Sequence, residues 1–196
     1  TFVRSSFDDP ADPRPGTLIC EEEEIVEQQV VTGIAFSKDE AQITLRRVAD
    51  KPGVAAAIFG PLADQNINVD MIIQVVSGQT VSGQTGNGEA MTTDMTFTVQ
   101  AADYERAMAL LTKLKPEIAY QAIEGATDVV KISAIGVGMR SHAGVAARAF
   151  RALAEKGVNI RAITTSEIKF SVLIDKDYTE LAVRTLHSLY GLDKVA

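Results

Sequence analysis

Asp50-Lys51-Pro52-Gly53-Val54-Ala55-Ala56 opens a segment that this chain spells twice. Residues 53–69 read GVAAAIFGPLADQNINV, and residues 144–160 read GVAARAFRALAEKGVNI. The offset is 91 throughout, and eight of the seventeen positions are identical: Gly53, Val54, Ala55, Ala56, Phe59, Leu62, Ala63 and Asn68. Self-similarity at a fixed spacing is the mark of a duplicated supersecondary unit. Within it, Val54, Ile58 and Leu62 recur every four residues, which predicts one buried face of a helix over residues 53–65. Gly60-Pro61 interrupts that helix and is expected to kink or shorten it.

Around the repeat, β-branched alternation predicts strands at residues 30–36 and 41–48, parted by a turn at Ser37-Lys38-Asp39-Glu40. Further strands are expected at residues 70–76 and 95–99. A helix over residues 103–114 would be capped by Asp103 and ended by Pro116, and a closing strand would follow at 119–123. The cycle restarts at residues 129–137. A helix over 143–156, strands at 162–165 and 169–174, and a helix over 177–190 capped by Asp177 complete it. Each copy therefore reads β-α-β-β-α. The second copy lacks a sixth element of its own, so the strand at 30–36 is expected to complete its sheet, which inserts the first unit in the second. The predicted class is α+β.

Between the middle strands the offset falls from 91 to 73, so the first copy carries about 18 extra residues, 77–93. That stretch repeats Ser-Gly-Gln-Thr and holds four glycines, which predicts a flexible hairpin loop. Residues 1–28 do not open like a domain. They hold a strand-like scrap at Phe2-Val3, a proline- and aspartate-rich loop at 8–16 and an acidic run at Glu21 to Glu24.

Bulk properties exclude several functions. Across 196 residues the formal charge is -7 and the mean hydropathy +0.07, with 46% hydrophobic residues. An acidic globular chain does not suit nucleic acid or an anionic membrane surface, both of which need clustered Lys and Arg. No apolar run approaches the ~20 residues that span a bilayer, and no signal peptide is expected. One cysteine, Cys20, excludes an internal disulfide and fits a reducing cytoplasm. The two histidines, His142 and His187, stand at no metal-ligand spacing. Gly136-Val137-Gly138 lacks the third glycine of a dinucleotide turn, and no phosphate loop is present.

Binding has firmer ground. In each copy a strand runs through a glycine-bearing turn into a helix N-terminus, whose unpaired N–H groups suit a carboxylate. Asp50 capping that helix and Gly53 turning the chain would explain the same spacing. The divergence between copies favours a ligand: at offset 91, Asp50 becomes Ser141, Asp70 becomes Arg161 and Gln74 becomes Thr165. Two carboxylates and an amide beside a helix N-terminus are what a zwitterionic amino acid needs. The first unit is expected to hold the principal pocket.

Asp50-Lys51-Pro52-Gly53 through Asn68-Val69-Asp70-Met71, then Gln74-Val75-Val76-Ser77, resembles the regulatory region of bacterial aspartate kinases. Thr92-Thr93-Asp94-Met95-Thr96-Phe97, Gly138-Met139-Arg140-Ser141-His142 and Ile163-Thr164-Thr165-Ser166-Glu167-Ile168-Lys169 belong to the same pattern. Val3-Arg4-Ser5-Ser6-Phe7 and Pro15-Gly16-Thr17 resemble the stretch where the kinase domain gives way to the regulatory half. Two departures stand out: Ala143 replaces the usual proline, and 77–93 is longer than usual.

The resemblance implies two ferredoxin-like βαββαβ ACT domains with antiparallel sheets and helices on one face, the first inserted in the second. Residues 1–28 would be a kinase-end remnant and linker. ACT domain 1 would span 41–124, and ACT domain 2 would combine 29–40 with 125–196. By motif, Asp50, Gly53, Val54, Ala55 and Gln74 would form a threonine pocket, closed by Asn159 and Ile160 of a second-type domain. Asp70, facing His142, Gly144, Ser166 and Glu167, would form a lysine site where the family has one. Lys51, Asn68 and Val69 complete the expected effector set. The implied protein is a cytoplasmic regulatory homodimer that inhibits a catalytic aspartate kinase chain. ATP and magnesium would belong to the missing kinase domain, so no cofactor or catalytic residue is expected here. An amino-acid-sensing ACT module of another regulatory protein is the alternative, and a small ferredoxin-like enzyme a third.

Overall fold

The structure, a computed structural model, describes residues 2–3, 17–18, 30–82, 89–136 and 144–194, with the side chains of residues 77–90 left undescribed. Most of the expected linker at 1–28 lies outside these. Within it β1 (Phe2–Val3) pairs antiparallel with β2 (Thr17–Leu18).

Two long strands organise the rest. β3 (Gly33–Ala49) and β6 (Ala122–Ile135) run antiparallel side by side from Gly33↔Ile135 to Arg46↔Ala122. Each serves both copies. The back half of β3 opens the first unit, followed by α1 (Val54–Asp64), β4 (Val69–Ser82), β5 (Glu89–Val99), α2 (Tyr104–Lys113) and the short α3 (Lys115–Ile118). The front half of β6 closes that unit and its back half opens the second. There α4 (Val145–Glu155), β7 (Ile160–Thr165), β8 (Lys169–Asp175) and α5 (Thr179–Leu189) follow, and the front half of β3 completes the sheet. The strand order β4-β5-β3-β6-β8-β7 gives each unit the order of a βαββαβ fold. The first unit is inserted in the second.

Two cores result. In the first unit Val54, Ile58 and Leu62 of α1 pack with Leu111 of α2 against Ile43, Leu45 and Phe97. In the second, Val145, Ala149 and Leu153 of α4 pack with Leu186 against Ile132, Phe170 and Val172. These are the repeat's equivalent positions, so the helical spacing is realised twice. Each core has an edge-to-face aromatic pair: Phe59–Phe97 at 5.2 Å and Phe150–Phe170 at 5.8 Å between ring centres. A third cluster, Met71, Val129, Ala162 and Leu173, joins the sheet's two outermost strands, β4 and β7. The sheet therefore curls until its edges meet.

Several local expectations give way to the sheet. No turn forms at Ser37 to Glu40; β3 runs straight through, because β6 offers it a continuous ladder, and a register shift absorbs the polar residues. The strands expected at 119–123 and from 129 are likewise one strand, β6. The loop at 77–93 is largely ladder, from Ser77↔Thr92 to Ser82↔Glu89, and only 83–88 lie outside the described residues. α1 continues past Pro61. Pro116 lies in the first turn of α3, where its missing N–H costs nothing, rather than ending α2 there. Neither Asp103 nor Asp177 caps a helix by its side chain; both sit in 3₁₀ turns, and Asp103 pairs with Arg106 at 2.6 Å. No helix among the described residues is long and apolar enough to cross a membrane.

Tyr190, just past α5, donates its hydroxyl hydrogen to the Val145 carbonyl at 3.0 Å and ties α5 to the start of α4. Burial pushes its pKa up to about 12. An unfolded chain loses this proton near pH ~10. A folded-state value above the unfolded one means stability intact below about pH 10 and lost as pH rises toward 12. Lys131, also held above its ordinary value, adds to the loss. Tyr190→Phe is expected to flatten part of this alkaline decline, read as the melting temperature between pH 9 and 12.

Candidate functional site

The turn at Asp50 is built from the strand upward. The Arg47 N–H and the Arg46 guanidinium both reach Asp94, at 2.8 and 2.9 Å. They hold a bulge between Leu45 and Val48 in which Arg47 has φ 50°. The bulge re-aims the strand so that Val48 stays in the core and the chain leaves the sheet at Asp50, whose N–H donates to the Met91 carbonyl at 2.9 Å. Gly53 then turns the chain with φ 91° and caps α1. Gly144 does the same before α4, also at φ 91°. That left-handed conformation requires glycine in both copies.

Asp50 does not cap α1, since no side chain does. Its carboxylate is exposed and has no partner among the described residues. Val54 is buried as an anchor, while Lys51, Gly53 and Ala55 are exposed. The Val54 and Ala57 N–H groups bond back to Lys51 and Gly53. The N–H groups of Ala55 and Ala56 have no acceptor among the described residues. Gln74, exposed on β4, pairs with Met95, which pairs with Leu45. The turn and Gln74 thus share the outer end of the first unit.

The other expected residues lie elsewhere. Val69 and Asp70 begin β4 just after Asn68, beside Val99 and Ala41, at the level where the long strands change unit. Ile160, just after Asn159, begins β7 at a similar level, through Ile174 and Val130. Gly144, Ser166 and Glu167 sit at the far end of the second unit, where Ser166 closes the β7–β8 turn by accepting from the Lys169 N–H at 3.2 Å. His142 lies outside the described residues.

Asp70 is already engaged. One oxygen accepts from the Met71 N–H at 2.8 Å and steadies Met71 at φ 47°; the other accepts from Lys131 Nζ at 2.8 Å. Lys131 also reaches Glu40 at 2.5 Å. Burial pushes the Asp70 carboxyl up, but the Lys131 and Met71 hydrogen bonds outweigh it and hold it below the usual carboxylate value. Burial likewise lowers the Lys131 ammonium, while Asp70 and Glu40 raise it above its ordinary value. Arg161, the counterpart of Asp70, pairs with Asp175 and Asp128. Glu40 and Lys131 were missed by motif reading. They too stand 91 apart with opposite sign, as Asp70 and Arg161 do, and that charge reversal at the repeat offset was legible.

Between the units Gln42, Thr44, Arg46, Glu124 and Arg161 line a polar cavity of about 150 Å³, with Arg46 paired to Asp94 and Glu124. No group of three potential metal ligands occurs among the described residues.

Comparison with known proteins places this geometry. The ACT domain family matches residues 43–116 and again 132–190. An aspartate kinase of Pseudomonas fluorescens is 50% identical over 183 residues, and an aspartokinase of Corynebacterium glutamicum 43% over 192. These cover 93% and 97% of this chain, which spans 42% of the length of either relative. Among solved structures, a chain from aspartokinase alpha and beta subunits is 52% identical with a TM-score of 0.71, over 82% of this chain and 98% of that one. The ligand-free regulatory subunit of the Thermus thermophilus aspartate kinase is 38% identical with a TM-score of 0.72, over 83% and 99%. Two ACT units sharing two strands, at this identity to regulatory subunits over nearly their whole length, place the chain in the aspartate kinase family as its regulatory ACT-domain region.

Proposed function

We propose that this chain is the amino-acid-sensing region through which an aspartate kinase of lysine, threonine and methionine biosynthesis is feedback-inhibited. Threonine binds at the first unit's turn, and lysine acts as a second effector at Asp70. The observation that carries this reading is the α1 N-terminus. The N–H groups of Ala55 and Ala56, without an acceptor among the described residues, stand five and six residues after the exposed Asp50 carboxylate, which likewise has no partner among them. The first suits a free carboxylate and the second a free ammonium, so the pair has the polarity of an α-amino acid. Because Asp50 caps nothing, its charge is available.

Asn159 and Ile160 support a pocket completed by a second copy. Along β3 the Asp50 turn lies ten residues from Glu40, the level of β7's start, or roughly 30 Å at ~3.3 Å per residue. One chain does not span that, whereas a homodimer facing a second unit against a first unit does. Phosphoryl transfer to aspartate, with its ATP and magnesium, belongs to the catalytic domain, and the pair works in the cytoplasm.

Calorimetric titration of the chain with threonine and with lysine tests the reading. Saturable heat and a raised melting temperature at millimolar ligand are expected. Asp50→Ala should weaken threonine by about tenfold or more, the worth of a charge-assisted hydrogen bond of ~1.5–3 kcal/mol, with unchanged circular dichroism. Silence at millimolar ligand rejects the proposal.

A further inference from the structure

Lys131 interrupts the apolar run of β6 between Val130 and Ile132. Its ammonium is shared between two unequal carboxylates: Glu40 on β3, whose side chain is 8% exposed, and Asp70 on β4, 59% exposed. A carboxylate as buried as Glu40 cannot lose its cation cheaply, whereas Asp70 can turn to water or to another cation. Lys131 therefore has a permanent partner and an exchangeable one.

Next to this junction is a cavity of about 310 Å³, walled by Asn68, Val69, Asp70, Thr98 and Gln100 with Lys131 at its side. That is the lower end of the size range of small-molecule sites. Thr98, 1% exposed, has a hydroxyl with no hydrogen-bond partner among the described residues, which leaves a polar group for a ligand. The repeat sharpens the point. Glu40 and Lys131 are counterparts at offset 91, as are Asp70 and Arg161, so the mate of the Lys131–Asp70 pair would join Glu40 to Arg161. Arg161 instead turns to Asp128 and Asp175. The arrangement therefore occurs only once among the described residues.

We propose that Lys131 is a built-in competitor for the side-chain ammonium of the effector: it holds Asp70 in the ligand-free chain and yields it when the ε-ammonium of a free lysine enters. Yielding costs only the exposed half of the bridge, because Glu40 keeps the lysine neutralised. The consequence is mechanical. β4 of the first unit is released from β6, the strand that continues into the second unit, so occupancy of one unit is felt by the other. This rests on Asp70 being an effector carboxylate, as proposed above.

The test titrates L-lysine into the full chain and into two variants, Lys131→Met and the charge-balanced Glu40→Gln/Lys131→Met, which leaves no buried carboxylate unpaired. Both variants should bind L-lysine roughly twofold to fivefold tighter than the parent chain, the worth of a half-exposed ion pair. L-Norleucine, which lacks the ε-ammonium, should gain nothing. The side-chain ¹⁵Nζ resonance of Lys131 should move as lysine saturates the parent chain. Binding that Asp70→Asn abolishes but that neither Lys131 variant strengthens overturns the competitor role and leaves the site reading standing. No lysine binding to any of the proteins overturns both.

Discussion

Phe97→Ala will lower the unfolding free energy by about 3–5 kcal/mol, the usual cost of removing a buried aromatic ring. Phe97 is wholly buried on β5, between Ile43 on β3 and the helix layer, and its ring meets Phe59 of α1 edge to face at 5.2 Å. Truncation removes the ring's own burial and the pair geometry and leaves a void that β-sheet backbone on both sides cannot close. Against a total of ~5–15 kcal/mol for a domain, this is a large fraction. Urea unfolding followed by fluorescence and by circular dichroism is the measurement. Because β3 and β6 each belong to both units, the two signals should shift together, in one transition. A loss under ~1 kcal/mol, or a second unit that stays folded after the first has melted, would contradict the shared-strand fold.

Gly136→Ala is the second large effect, expected at about 3 kcal/mol, toward the upper end of overpacking costs. Gly136 follows β6, and its N–H donates to the Ile168 carbonyl at 2.8 Å. A methyl group there would stand 2.2 Å from the Val30 carbonyl oxygen and 2.8 Å from the Val31 Cα. Both obstacles are backbone, so no rotamer change relieves them. The segment cannot simply withdraw either, since the Thr32 N–H donates to the Ile135 carbonyl at 2.7 Å and Val31 is buried in the second core. Relief would peel off the chain that closes the second unit's sheet before the first unit begins. Hydrogen exchange should therefore quicken first along residues 30–37. Stability equal to the parent chain's would mean that this closure contributes nothing.

The units were readable because duplication and helical period are both carried by neighbouring residues. Val54, Ile58 and Leu62 announced a buried face, and Val145, Ala149 and Leu153 repeat it. The glycine turns were readable for the same reason: a left-handed residue before a helix names its own side chain. Local polarity misled where long-range pairing overrides it. Ser37 to Glu40 has the composition of a turn, yet β6 lies alongside and satisfies the backbone, so the strand continues and carries Glu40 into the interior. Asp103 and Asp177 have cap composition, but 3₁₀ turns ahead of the helices remove the geometry.

The candidate site divides along the same line. Asp50, Gly53 and the helix N-terminus are neighbours in the chain, and their juxtaposition follows from sequence alone. The first copy's charges at Asp70 and Gln74 were visible as divergence, but their partners were not. That Lys131 is held by Glu40, 91 residues away, depends on the β3–β6 ladder, and that Asp70 is held by Lys131, 61 residues away, depends on a sheet that curls until β4 meets β7. Amino-acid order by itself determined the two units, their insertion, their helices and the turn that opens the site, because each is a property of short segments or of their repetition. Only the tertiary structure decided which carboxylate stands free and which is occupied, because a charge's partner is chosen by distance in space, and the low dielectric around Glu40 makes that choice binding.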